Sequence, residues 1–563
     1  GTLPFPALGG QGQTTTLKGH NIAAAFTSSL TPSILNEFRF GWSKFDTAFD
    51  IQETEDRNAQ LGIKNAPIDT YDPKGMRGMT RFSPAGFAEA GTRSFWPNVN
   101  NLNNLLFSDS ATVLKGRHTM KFGAEHRAQE VYRDSTRFGR GQFSFDTRFT
   151  AQNPNNGTSR GNTGNGMATM LLGWVSGGTY GNNQGEEVDV PYWGFFAQDD
   201  IKLSNRLTLN LGLRYELFSL ARFPDAKNQQ IARYLAAPFN VPTLADEKLI
   251  YPESSSDIGG QNDRNNFAPR IGLAWSVNDK TVIRAGAGIF YGEPNSLSTE
   301  DANFRSSAPK HTEITIQTNN VATSYFVNQG FPAFDNSVIR PGVAMYSFPE
   351  RRRNLQAHQW FFDLQRTLPG DTLLTVGYAG TSAQNLFGTV NINQPFTPSA
   401  TVNANQRLIR PQFSSITYHD TMLRSSYNAL TAKVEKRFSK GLTYLGSFTY
   451  SKNIDQGNED LFDGGQGAVN PYNLAPERAR SNMDRTFGFI GSVVYELPFG
   501  KGRSYLQSGP ASWILGGWQL GGIVSAYSGF PIPHTINVNN QNLGVVRGDY
   551  VRSPNLPSSE RTI

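Results

Sequence analysis

Charged side chains recur at every second position of segments that are otherwise apolar. Arg214 and Glu216 follow Leu207, Leu209, Leu211, Leu213 and Tyr215 with opposite parity; Lys121, Glu125 and Arg127 interleave with Met120, Phe122 and Ala124. Arg284 stands against Ile283, Ala285, Ala287 and Ile289, and Lys433, Glu435 and Arg437 stand against Leu430, Ala432 and Val434. Residues two apart on a strand share a face, so these charges line one face and the leucines, phenylalanines and tyrosines the other. A two-signed polar face hydrates a lumen wall by mutual pairing, and can also contact a solute or hold a plug through many weak ion pairs. The expected chemistry is recognition and passage, with no bond made or broken.

Other patterns that could carry chemistry fail on context. Gly157-Thr158-Ser159-Arg160-Gly161 has the GxSxG form of a nucleophile elbow, but it lies in an Asn/Gly-rich stretch expected to have no strand before it and no helix after it. Gly286 and Gly288 have strand parity rather than the context of a phosphate-binding loop. The seven His are scattered outside any metal-ligand spacing, and the absence of Cys removes thiol nucleophiles, Cys-held metals and disulfides. No enzyme activity, metal or cofactor is therefore expected. Lys+Arg at 52 against Asp+Glu at 46 leaves a mild net charge of +6, which does not suggest a nucleic-acid partner. The basic run Arg351, Arg352 and Arg353 and the acidic group Asp455, Glu459, Asp460 and Asp463 read as solvated clusters.

The elements that position the two faces are strands. Alternation recurs through Phe38, Phe40 and Trp42, through Trp193, Phe195 and Ala197, through Ile271, Leu273 and Trp275, and through Phe487, Phe489, Val493 and Tyr495. Short turn signals at Thr31-Pro32-Ser33, Lys115-Gly116-Arg117, Ser204-Asn205, Asn278-Asp279-Lys280, Pro369-Gly370-Asp371 and Ser439-Lys440-Gly441 recur at roughly 60 to 90 residues, far above sandwich spacing. Between them run long polar connections at about 46–104, 147–190, 218–265, 293–356, 382–426 and 452–483, with a short helix expected near 229–236. Tight turns on one rim and long loops on the other predict an all-β, large antiparallel transmembrane β-barrel with short periplasmic turns and long extracellular loops. A mean hydropathy of −0.45 does not oppose this, because alternation averages out. About 16 to 18 strands can be placed from the alternation.

Several segments resemble TonB-dependent outer-membrane receptors, specifically the Oar-like group: WGFFAQDDIKLSNRLTLNLGLRYE at 193–216, NFAPRIGLAW at 266–275, KTVIRAGAGIFYG at 280–292, YNALTAKVEKRFSKGLTYLGSFTYSKNID at 427–455, YELPFGKG at 495–502 and GGWQLGGIVSAYSGFP at 516–531. The resemblance implies a barrel of about 22 strands in the outer membrane of a Gram-negative bacterium, closed by an N-terminal plug. It implies as partners outer-membrane lipid, an unidentified ligand captured at the extracellular loops, and a TonB–ExbB–ExbD complex that drives energised uptake or export. On that pattern residues 1–563 are the barrel domain in part, with plug and N-terminal domain before residue 1 and the last strands after residue 563. The nine charged residues above become lumen-facing contacts for plug or solute, and Leu207, Leu209, Leu211, Leu213 and Tyr215 become lipid-facing. Two other readings stand beside this one: a passive or structural outer-membrane barrel whose loops mediate adhesion or assembly, and a soluble secreted β-rich glycan-binding protein.

The facing assignment has a direct test. An Arg at mid-membrane depth on the lipid side of a barrel costs about 2–4 kcal/mol, so Leu211→Arg should impair folding into lipid vesicles far more than Asn210→Arg. Equal effects on the folded fraction would reject the assignment.

Overall fold

The computed structural model of the chain describes residues 13–51, 55–66, 78–96, 98–135, 138–181, 185–219, 262–293, 353–395, 406–457 and 470–532, with shorter stretches of the loops between them. Fourteen strands form one continuous antiparallel wall in chain order. They are β1 (Gln13–Thr31), β2 (Ile34–Ile51), β3 (Asn98–Lys115), β4 (His118–Ser135), β5 (Glu186–Ser204), β6 (Leu207–Phe218) and β7 (Phe267–Asn278). The second half is β8 (Thr281–Gly292), β9 (Leu355–Leu368), β10 (Thr372–Asn391), β11 (Phe413–Ser439), β12 (Leu442–Asp455), β13 (Phe487–Glu496) and β14 (Gln519–Tyr527). Each strand pairs with the next, and among the described residues β1 pairs only with β2 and β14 only with β13.

The tight turns fall where the sequence marks them. Lys440 and Gly441 both have positive φ, 52° and 79°, the geometry whose twist matches that of two antiparallel strands, and they join β11 to β12 directly. Where the expected turn chemistry is absent, between β13 and β14, the connection is longer and carries a short helix, Pro510–Leu515.

Register carries each face across the wall. Leu209 lies opposite Leu273, then Ala285, Phe362, Tyr378, Leu430, Tyr450 and Phe487, one residue per strand from β6 to β13. The interleaved row runs from Arg284 through Asp363, Gly377, Thr431 and Thr449. On the first row Phe362 is 47% exposed, Leu430 48% and Tyr450 55%. An apolar row with large side chains exposed from β9 to β13 requires an apolar neighbour.

The dense cores lie in the loops rather than the wall. Four short strands, Arg81–Pro84, Gln142–Phe145, Gly177–Gly181 and Glu313–Gln317, form a second sheet drawn from three different long loops. Its core buries Ile63, Phe143, Phe145, Val175, Tyr180, Ile316 and Phe331. A second core, around Met345, Val390, Ile392, Phe413, Ile416 and Tyr418, forms where β10 and the 27-residue β11 extend into the loops and Val343–Ser347 runs parallel to β11.

Among the described residues the main sheet has 18 strands, at the upper end of the expected number; Arg233–Leu235, Lys248–Ile250, Val343–Ser347 and Ala479–Arg480 are short loop pieces of it and the other fourteen form the wall. Two expectations need correction. Within 229–236 the described part, Arg233–Leu235, is a strand paired with Lys248–Ile250 and not a helix. The GxSxG residues lie inside a helix, Gly157–Thr163, because Asn156 accepts from the Ser159 amide and caps it. That helix holds the serine within itself rather than at a strand-to-helix elbow, and Ser159 Oγ accepts from the Asn153 amide at 3.0 Å. Glu459, Asp460 and Asp463 lie outside the described residues.

Loops and turns at opposite ends give opposite accessibility. In this Cys-free chain, a cysteine at Asn155 or Gly457 should react with an impermeant reagent on intact cells and one at Ser439 should not. Labelling at Ser439 alone would invert the orientation.

Candidate functional site

On the polar face of β4, β5 and β6 the sequence-marked charges close into a network around a phenol. The Tyr192 hydroxyl donates to Glu216 Oε1 at 2.8 Å, and Arg214 Nε donates to the same oxygen at 3.0 Å. Arg214 Nη2 donates to the Tyr192 oxygen at 2.6 Å and to Glu125 Oε2 at 3.3 Å. The other Glu125 oxygen stands 3.3 Å from Arg127 Nε, and the Arg127 guanidinium lies 4.0 Å over the Tyr192 ring. Arg127 Nη2 reaches Glu293, from the end of β8, at 3.9 Å. Three carboxylates thus meet two guanidiniums, with Tyr192 2% and Glu216 8% exposed.

The backbone makes room for this arrangement. Glu125, Gly194 and Glu216 are one row of the register. A Cβ on Gly194 would stand 2.7 Å from both Arg214 Nη2 and the Tyr192 oxygen, so any larger residue there displaces the guanidinium from its bed. Beside the network a cavity of about 360 Å³ opens on the polar side of β1 to β5, with Asn21, Ser43, Asn104, Arg127, Tyr192 and Glu293 on its wall.

Four of the nine sequence-marked charges therefore meet: Glu125, Arg127, Arg214 and Glu216. Lys433 and Glu435 share the parity of that face but pair with each other at 2.6 Å on β11. Arg284 sits in register with Asp363, while Lys121 and Arg437 are exposed near the tight-turn ends of β4 and β11. Leu207, Leu209, Leu211, Leu213 and Tyr215 lie on the opposite face of β6, with Leu211 40% and Leu213 48% exposed. Sequence reasoning missed Tyr192 and Gly194, although their parity matches Glu125; only the register reveals which glycine faces which guanidinium.

Sequence reasoning also missed the loop sheet, whose signal was present in the short alternations Gln142–Phe145 and Glu313–Gln317. Phe143 stacks on Phe331 at 4.4 Å and 5°, and Tyr180 packs against Phe331 at 4.8 Å. Arg81 pairs with Glu89, which also accepts from Ser83 Oγ at 2.8 Å. Burial pushes the Glu89 carboxyl up, but the Arg81 and Ser83 hydrogen bonds and the Arg81 charge outweigh it and hold it below the usual range. The ionised form therefore stabilises the loop sheet, and that contribution fades as pH falls through the lowered pKa. Elsewhere Tyr472 donates to the Ile392 and Gln394 carbonyls at 2.8 and 3.0 Å. Burial pushes its hydroxyl up to about 12, with Arg410 and the Gln394 bond opposing, so it stays a donor at neutral pH. Among the described residues no group of three His, Cys, Asp or Glu stands close enough to hold a metal.

The family model described as "Outer membrane beta barrel domain" matches residues 1–563. Among solved structures, the outer membrane transporter YddB from Escherichia coli is similar at 10% identity and a TM-score of 0.50, over 86% of this chain and 49% of that one. The ferric yersiniabactin uptake receptor FyuA from Yersinia pestis is similar at 9% identity and a TM-score of 0.40, over 87% of this chain and 49% of that one. The chain spans about half the length of these structures, and at this identity the YddB likeness establishes the fold. Among curated proteins none matches the sequence.

Partners of a buried charge network are unequal to exposed ones. Arg214→Met strands the nearly buried Glu216 carboxylate and should cost about 3–5 kcal/mol, whereas Lys433→Met should cost at most about 1 kcal/mol. Urea unfolding from lipid vesicles measures both, and equal small losses would show the network to be dispensable.

Proposed function

Since the chain belongs to the outer membrane beta barrel domain family, we propose that it is the wall and loop portion of a TonB-dependent transporter of the Oar-like group. In this reading the loops take an unidentified ligand from outside, the polar face lines the path, and a plug elsewhere in the protein gates it through the TonB–ExbB–ExbD complex. The nine charged residues are the lumen-facing contacts for plug or solute, and Leu207, Leu209, Leu211, Leu213 and Tyr215 face lipid. The edges of β1 and β14 that have no partner among the described residues are, in this reading, covered by further strands, because hydrocarbon does not tolerate open backbone.

The observation that carries the proposal is the half-buried, two-signed network on the polar face. A passive pore needs only hydration there, whereas Glu125, Arg127, Arg214 and Glu216 form a preorganised surface that a plug of complementary charge can grip and leave. Such contacts are individually weak, so their sum holds a gate without freezing it. The loop sheet supports the same reading, since a buried aromatic core presents a fixed outer surface at low ordering cost. The segments at 193–216, 427–455 and 495–502 support the Oar-like assignment by resemblance.

A second reading, a structural barrel with adhesive loops, is favoured by one observation. Leu171 and Leu172, 78% and 53% exposed, stand beside Trp174, which bridges to the 37% exposed Phe326, an apolar patch on the loop sheet's flank. Conductance in planar bilayers separates the two readings. The full-length protein should stay closed to small solutes, and a version lacking everything before Gly1 should leak. Identical large conductance from both would mean that no plug fills the lumen and would favour the structural barrel.

A further inference from the structure

The apolar face of the wall is not uniform. Across β4 to β9 it sinks into a groove of about 860 Å³ whose surface is almost wholly apolar. The floor consists of small or flat side chains, Ala197, Pro269 and Ala287, and the flanks of large ones, Phe122, Ile271 and Trp360. Ala197, Leu213 and Pro269 are consecutive in one row of the register, and Leu211, Ile271, Ala287 and Trp360 in the next, so the groove follows the hydrogen-bonding direction. Its five interstrand intervals at about 4.8 Å give a length of about 24 Å, the span of a long fatty acyl chain.

The groove is also oblique. Met120, at one end, is two residues from the first residue of β4, beside the tight turn; Trp360, at the other, is eight residues from the turn end of β9. It therefore climbs from the turn rim into the wall. The rim at its low end is basic. Lys115 and Arg117 are exposed there, with the Lys202 amide donating to the Arg117 carbonyl at 2.9 Å and Arg117 Nη1 to the Leu203 carbonyl at 3.2 Å, while Lys202 itself shares the parity of Gln198 and Asp200 and belongs to the polar face. Asp199 lines the groove beside Met120 and pairs with His118 through Oδ2 at 2.6 Å, its buried Oδ1 having no hydrogen-bond partner among the described residues, and Asp200, on the polar face, accepts from Asn210 at 2.6 Å.

We propose that this groove holds one acyl chain of an anionic glycerophospholipid from the periplasmic leaflet, with its phosphate at Lys115 and Arg117. The proposal rests on the assignment of the apolar face to lipid. A flat hydrophobic wall exchanges its lipids freely. A channel of acyl-chain length ending at basic side chains binds one lipid through apolar burial along its length and charge at one end.

Native mass spectrometry of the detergent-extracted protein, scored for phosphatidylglycerol, is the test. The wild type should retain about one phospholipid per chain through detergent washing, and Ala287→Phe and Ala197→Phe, which fill the floor at two separate points, should each lower retention by roughly tenfold or more. Replacing Lys115 and Arg117 together by Gln should abolish the preference for phosphatidylglycerol over phosphatidylethanolamine. Heat-modifiable migration in electrophoresis establishes that each variant is folded. In vesicles of phospholipid with brominated acyl chains, Trp275, on the same face but outside the groove, should be quenched; an unquenched Trp275 would overturn the facing assignment itself. Quenching of Trp275 with no retained phospholipid, with equal retention in the filled variants, or with lipopolysaccharide retained in its place would overturn the groove proposal alone.

Discussion

In hydrocarbon every backbone N–H and C=O must find its partner inside the protein, and everything else in this chain is arranged around that requirement. It forces the membrane portion into one unbroken antiparallel ladder, and the ladder forces alternation, because adjacent side chains on a strand must point to opposite sides. Once one side must meet lipid, a slip of a single residue in any strand would turn its whole apolar set inward. The row from Leu209 to Phe487 through eight strands is the outcome of that constraint, and tight turns such as Lys440-Gly441 pin the register at one rim.

The wall was legible in the sequence because its signal is local. Period-two alternation and turn residues are read within ten or so positions, and they placed all six tight turns and the wall strands that these turns join. What escaped depends on distant partners. Phe143 meets Phe331 across 188 positions, and no local pattern announces that three long loops will share one sheet. The same limit explains Gly194, whose role exists only because register sets it beside Arg214 and Tyr192. The helix at Gly157–Thr163 was missed because two glycines disguise a segment whose Asn156 cap decides it.

The wall and the loops solve opposite problems. In the proposed reading wall residues need no protein core, since lipid takes the apolar face and hydration or pairing takes the other, which leaves the polar side chains open to recognition. The network around Tyr192 draws its partners from β4, β5, β6 and the end of β8, so a shift of one guanidinium is felt across those strands. The loops hold a shape by building cores of their own, which is why the fully buried phenylalanines, Phe143, Phe145, Phe223 and Phe331, lie in loop residues.

The claim that the wall has one lipid face and one aqueous face is tested most directly by scanning β6. Single cysteines at each position from 207 to 216, placed in the outer membrane, can be read by spin labels for collision with dissolved oxygen, which partitions into lipid, and with a water-soluble nickel chelate. The account predicts strict alternation, with oxygen favoured at the odd positions and nickel at the even ones. A flat profile, or the opposite phase, would contradict it.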